Sequence, residues 1–225
     1  MLDNFISIMI AFLAGIIPAT VWVIFWNQED RKNPEPKSMI LLAFIGGVVA
    51  VFLSLFFEKI LFGIDPHTLF SAKFLQPLFE LIQNSATAKN IALDRFLLVV
   101  VFAPFVEEIL KFIMAYILVL RSKDDDEPID PVIYMITTAL GFAAIENMLF
   151  LIDPITKNNI NMSILTGNMR FIGATLLHTI SSATIGIFIG LNFFSKKLKE
   201  DFWAIVGLLF AIFIHTMFNF FMIDR

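Results

Sequence analysis

Residues 96–120 read FLLVVVFAPFVEEILKFIMAYILVL. A helix rises about 1.5 Å per residue, so roughly 20 apolar residues cross a bilayer, and this stretch is long enough. Yet Glu107, Glu108 and Lys111 stand near its middle. A charge at the centre of a bilayer costs about 2.5 kcal/mol or more, so it is rare there, turned inward and tied to a task. The neighbouring chain decides whether this is a membrane helix. Five more apolar stretches of similar length occupy 5–26, 38–62, 132–152, 171–194 and 202–223. Hydrophobic residues make up 58% of the 225, and charged residues only 16%. Mean hydropathy is +0.83, far above that of a soluble domain. The expected fold is an all-α polytopic membrane helix bundle of about six spans. We expect one integral membrane domain over 1–225, with a four-helix core at 96–223.

Composition also excludes. No cysteine occurs, which removes disulfides, thiol nucleophiles and cysteine metal sites. The net charge of −4 comes with no basic stripe, so nucleic acid is not an expected partner. The lipid bilayer is. The first residues carry Asp3 and no Lys or Arg, and the apolar run that follows is too long for a secretory h-region, so it reads as a retained first span.

The connections are unequal. Residues 27–37 carry Pro34 and Pro36 and read as a loop. Residues 121–131 hold Asp124, Asp125, Asp126 and Glu127, a solvated acidic loop by default. In 63–95, Phe70, Phe74 and Leu78 recur at helical spacing around Pro77, which suggests an amphipathic segment at the interface. Such a segment tethers, or gates a substrate arriving from the side. Lys and Arg are denser in 27–37, 121–131 and 195–201 than in the opposite loops, which places the N-terminus outside the cell membrane.

The polar groups inside the spans are few and specific. They are Glu107, Glu108 and Lys111; Glu146 with Asn147; His178 with Ser182; and His215 with Asn219. Measured along each helix, Glu107 lies roughly 16 Å deep, Glu146 roughly 9 Å, His178 roughly 10 Å and His215 roughly 12 Å. Consecutive spans run in opposite directions, so all four depths are taken from the same membrane face. Lys111 is spaced to pair with either Glu107 or Glu108. His215 and Asn219 project to one side of their helix, as do His178 and Ser182. Pro104 is placed to loosen the helix just before the glutamates. Taken singly, each group could be an interhelical hydrogen-bonding residue. Convergence in one leaflet favours a single site. His67 falls in a loop and reads as an ordinary surface residue.

Two or three carboxylates and two imidazoles suit activation of a water, as bases or as metal ligands. An Asn or His aimed at a developing oxyanion would complete amide hydrolysis. No HExxH, mid-span Asp or Gly-x-Ser-Gly occurs, and Ser181 and Ser182 are weak nucleophiles. Glu107, Glu146, His178 and His215 make a plausible zinc set, and the same four could act without metal. A proton-coupled transporter and a non-enzymatic scaffold or chaperone are the rivals. No inverted repeat or matched pair of broken helices supports the first. A scaffold would need few of these polar positions.

The strings EEILK (107–111), GFAAIEN (141–147), HTISS (178–182) and HTMFN (215–219) resemble, in order, the motifs of the PrsW family of intramembrane proteases. These are distant relatives of the CAAX prenyl endopeptidases. The resemblance runs from the third span onward. It implies a membrane protease, in a family whose names include metalloprotease, that cleaves membrane-anchored anti-sigma factors on their extracytoplasmic side. By analogy with the CAAX enzymes, Glu107 would activate water, and His215 with Asn219 would stabilise the oxyanion. The catalytic set is then Glu107, Glu108, Glu146, His178, His215 and Asn219, supported by Lys111, Asn147 and Ser182. Two departures stand out. Phe112 occupies the place of an Arg in those relatives, and Glu146 that of a His, so the second partner of the water is Glu146 or His178. The CAAX substrate class does not carry over.

Overall fold

Pro131 lies in the first turn of the helix that organises the bundle, a place where its missing N–H costs nothing. Asp130 beside it puts an acid at the positive end of the helix. The computed structural model describes residues 2–28, 33–62, 97–157 and 159–223. In chain order its helices are α1 (Leu2–Asn27), α2 (Lys37–Phe62), α3 (Ala103–Leu118), α4 (Asp130–Thr156), α5 (Ile160–Met169), α6 (Thr175–Gly190) and α7 (Lys197–Ile223). Two π turns join this series: Leu98–Phe102 runs into α3, and Arg170–Ala174 fuses α5 to α6. No strand occurs among the described residues. The expected amphipathic segment at 63–95, and His67 with it, lies outside them.

Helix α4 is the hub. Every residue from 133 to 145 on it is buried. It packs against α1, α2 and α6, while α3 sits between α2 and α7. The contact with α2 is backbone on backbone: a Cβ on Gly47 would come within 1.9 Å of the Thr138 carbonyl oxygen, and one on Gly141 within 2.0 Å of that of Phe44. Small residues allow such close approach, and close approach is what drives helix association in lipid. The outward faces of α1 and α7 expose Phe5, Ile17 and Val21, and Phe202, Leu209, Phe213 and Phe221. In water that surface would be a liability; in a bilayer it is the solvent-facing side.

Among the described residues, five helices are long and apolar enough to cross a membrane: Phe5–Asn27, Lys37–Ile60, Asp130–Thr156, Ile160–Gly190 and Lys197–Met222. The expected third span is helical from the π turn at Leu98 through Leu118, but Glu107, Glu108 and Lys111 keep it out of a purely apolar class. The expected fifth span at 171–194 starts earlier than its composition suggests. The helix before it ends at Thr156, and the Asn159 side chain caps a new helix by accepting from Met162 N–H at 3.1 Å. Arg170, read from sequence as a loop charge, therefore sits inside a continuous helical span.

The loop after α3 is packed more than its acidity suggests. Asp130 Oδ2 accepts from the N–H groups of Asp126 and Glu127 at 2.8 and 2.6 Å. Tyr134 donates its hydroxyl to Glu35, and Asn33 donates to Glu127 at 3.0 Å. Asp125 Oδ1 is buried without a partner. Burial first, then the Asp130 and Glu200 carboxylates, push the Asp125 carboxyl from 3.8 up to about 7.

Candidate active site

Glu107 and Glu108 are consecutive on α3, so they point about 100° apart and meet different surroundings. Glu108 is fully buried and saturated. Its Oε1 faces Lys111 Nζ at 2.6 Å, His215 Nδ1 at 2.7 Å and Ser181 Oγ at 2.9 Å. Its Oε2 accepts from Ser182 Oγ at 3.2 Å. Three donors thus converge on Oε1 and one reaches Oε2, so both oxygens are engaged. The sequence allowed Lys111 to pair with either glutamate; the structure pairs it with Glu108.

Glu107 is the opposite case. Its Oε2 is buried with no hydrogen-bond partner. The nearest cationic candidate is His215 Nε2 at 3.8 Å, beyond hydrogen-bond reach. Glu108 can only accept, so His215 Nδ1 carries the ring proton, and in the neutral ring Nε2 presents a lone pair towards Glu107. Two buried acceptors thus face each other across a gap that a water or a cation would satisfy.

His178 stands next to His215, with ring centroids 5.0 Å apart and planes at 86°. Its Nδ1 lies 3.1 Å from Lys111 Nζ, and its Nε2 lies 2.8 Å from Glu146 Oε2. An ammonium can only donate, so Nε2 carries the proton and gives it to Glu146. Phe142 packs on the ring at 5.2 Å and beneath the Lys111 ammonium at 5.0 Å. The polar layer is therefore one connected chain: Glu146, His178, Lys111, Glu108, His215, with Glu107 at its open end.

Asn147 and Asn219 are placed outside that chain. Asn147 donates to Thr175 Oγ1 at 2.9 Å and accepts from Arg170 Nε at 2.8 Å. Asn219 donates to the Val99 carbonyl at 3.0 Å. The local chain explains this bond. In the π turn the Ala103 N–H reaches back to Leu98 O, so Val99 O loses its α-helical donor. The π-type donor five residues on would be Pro104, which has no N–H. The Asn219 side chain supplies what the backbone cannot.

Two nearby residues escaped the sequence reading. Arg170 binds Glu146 Oε2 through Nη2 at 2.6 Å. Glu58, near the end of α2, is buried, accepts from Ser54 Oγ at 3.2 Å and lies within electrostatic reach of Glu146 and Glu107. An acid in the last turns of an apolar run looks like a span end, which hid it. Arg170 stands just before the apolar run that begins at Phe171, and no spacing signals its place in the site.

A divalent cation fits part of the expected donor set. One ligand atom each from Glu107, His178 and His215 lie within 4.8 Å of one another. The unpartnered Glu107 oxygen is the position a cation would satisfy. Two imidazoles and one carboxylate form a donor set used by catalytic zinc. Glu146, counted from sequence as a fourth ligand, is not in this group; its Oε2 already serves Arg170 and His178.

Comparison with known proteins agrees with the motif reading. The model of the "PrsW family intramembrane metalloprotease" family matches residues 35–225. Protease PrsW of Geobacillus kaustophilus is 26% identical over 213 residues, covering 94% of this chain and 79% of the relative. Protease PrsW of Bacillus subtilis is 24% identical over 210 residues, with 92% and 80% covered. Protease PrsW of Clostridioides difficile is 26% identical over 210 residues, with 93% and 77% covered. No solved structure matches the chain. The chain belongs to the PrsW family of intramembrane proteases: it is a multi-pass membrane peptidase.

Proposed function

We propose that this peptidase hydrolyses a membrane-anchored protein by water activated at Glu107. The gap between Glu107 Oε2 and His215 Nε2 carries the reading: two buried acceptors 3.8 Å apart with nothing between them to donate. A water there gives one O–H to each. As its oxygen attacks the scissile carbonyl, one proton moves to Glu107. The C–N bond then breaks, and Glu107 returns that proton to the leaving amine. His215 holds the second O–H, and Glu108 fixes the ring through Nδ1. Asn219 keeps one amide hydrogen beyond that given to Val99, and we assign it to the oxyanion. That assignment follows the HxxxN pair of the CAAX endopeptidases, to which we take this family to be distantly related. Glu146 or His178 becomes the water's further partner only by giving up a present bond, Glu146 with Arg170 or His178 with Lys111.

Zinc, where bound, would be held by Glu107, His178 and His215, and would supply a bound water with a pKa near ~7. Holding the ion would take one His178 nitrogen from its present partner, Lys111 at Nδ1 or Glu146 at Nε2, while Glu108 goes on ordering His215 through Nδ1.

The substrate we propose is a single-span protein of the anti-sigma-factor kind, cut near its extracytoplasmic side. The family likeness supports this, and so does the distance of the polar layer from the basic loops that mark the cytoplasmic face. The test compares new protein N-termini in membranes carrying the wild-type chain or Glu107→Gln at matched expression. Termini seen only with wild type, just outside a membrane span, are expected. A full set of such termini in the variant would remove Glu107 from its role.

A further inference from the structure

Arg170 is a cation inside a membrane span, and nothing in the hydrolysis just described requires it. Its side chain is only 15% exposed. Three groups hold it. Nη2 meets Glu146 Oε2 at 2.6 Å, Nε donates to Asn147 Oδ1 at 2.8 Å, and the guanidinium lies over the Phe150 ring at 3.8 Å. The backbone closes a ring around these contacts. Arg170 O accepts from Thr175 Oγ1 at 3.0 Å, and that hydroxyl accepts from Asn147 Nδ2 at 2.9 Å. Only a guanidinium reaches two planar acceptors at once from fixed directions; an ammonium is a single point.

The π turn explains how Arg170 comes to face the site. Eight residues of plain α-helix would place Arg170 about 80° around from His178. The turn at Arg170–Ala174 takes up one extra residue, with Thr175 N–H returning to Arg170 O. Eight residues then cover about two turns, and both side chains look towards α4. There they share one atom: Glu146 Oε2 meets Arg170 at 2.6 Å and His178 at 2.8 Å.

We propose that Arg170 is a positioning residue. It clamps Glu146, and through that shared oxygen it sets the orientation of the His178 imidazole beside Glu107 and His215. Its consequence for turnover rests on the proposed hydrolysis; the orientation itself does not. Without Arg170, Glu146 is held by His178 alone, and of the ring's two polar anchors only Lys111 at Nδ1 stays fixed.

The chain contains three histidines, His67, His178 and His215, so ring nitrogens are countable by ¹⁵N NMR on the full, ¹⁵N-histidine-labelled chain in detergent micelles at fixed pH. His178→Asn assigns the signals. Arg170→Gln and Glu146→Gln are expected to move the His178 nitrogens in the same direction, with the double variant moving them no further than one alone. Arg170→Lys, which keeps a cation in the span, moves them less. His178 signals at wild-type positions in folded Arg170→Gln overturn the proposal. Should Arg170→Gln fail to fold, unmoved signals in Arg170→Lys overturn it equally. In membranes, Glu107-dependent termini are expected to form about tenfold more slowly or worse with Arg170→Gln, and to recover in part with Arg170→Lys. Wild-type formation rates in folded Arg170 variants overturn the positioning role. An absence of any Glu107-dependent termini overturns the hydrolysis instead, and leaves the NMR result to decide the orientation.

Discussion

Two carboxylates one residue apart divide the polar layer into unlike halves. Around Glu108 both oxygens are answered, by Lys111, His215, Ser181 and Ser182. Around Glu107 one buried oxygen is answered by nothing. Trp22, Trp26 and Thr138 also hold buried polar atoms without a partner; what sets Glu107 apart is the His215 ring nitrogen 3.8 Å away. Under the proposed hydrolysis, the saturated half builds the site and the open half leaves room for a reactant. A sequence of two glutamates gives each the same chemistry; the neighbours on α6 and α7 give them opposite duties.

The sharpest way to break this contrast is to treat the pair alike. Glu107→Gln should lower cleavage by about 10²–10⁴-fold while leaving thermal stability equal to wild type or above it, since it removes a charge with no partner. Glu108→Ala should do the reverse in kind. It strands the buried Lys111 ammonium and should cost about 3–5 kcal/mol, read as loss of folded protein in detergent melts. Equal melting losses for the two variants would erase the division. A smaller effect is expected at the edge of the layer. Asn219→Ala leaves Val99 O without a donor and should cost about 1–3 kcal/mol in the same melts, beyond any loss of rate. A variant that melts like wild type would detach Asn219 from the π turn.

The effect farthest from the site lies at the other end of the bundle, in the acidic loop. Asp125 holds its proton up to about pH 7 when folded and releases it near 3.8 when exposed. Between these values the folded state binds the extra proton, so stability from this group falls as pH rises from about 4 to about 7 and is level above. Asp125→Asn should flatten that slope in melts taken across the window. An unchanged slope would assign it to other carboxylates.

The spans and the layer of polar groups were legible because each polar residue interrupts an apolar run, and helix rise converts position into depth. The convergence of Glu107, Glu108, Lys111, Glu146, His178 and His215 follows from that arithmetic. The choice of Glu108 over Glu107 as the partner of Lys111 did not, because both spacings suit a helix. Arg170 was hidden for another reason. Residues 153–170 carry enough polar side chains to read as a loop, and no periodicity announces a π turn. The partner of Asn219 was hidden in the same way, although Pro104 was the visible half of its cause. Irregular turns move side chains by one residue's rotation, which a pattern of fixed period cannot express.

A π turn is an α-helix carrying one residue too many. Removing a single codon between positions 171 and 174 would let the helix close normally, with its span still long enough for the bilayer. Seven residues of plain α-helix turn through about 700°, nearly the same two turns that eight cover with the π turn, so Arg170 would keep facing Glu146. Both histidines would keep their seats. The π turn thus absorbs one codon locally, and a gene can gain or lose that codon without turning the clamp out of the polar layer.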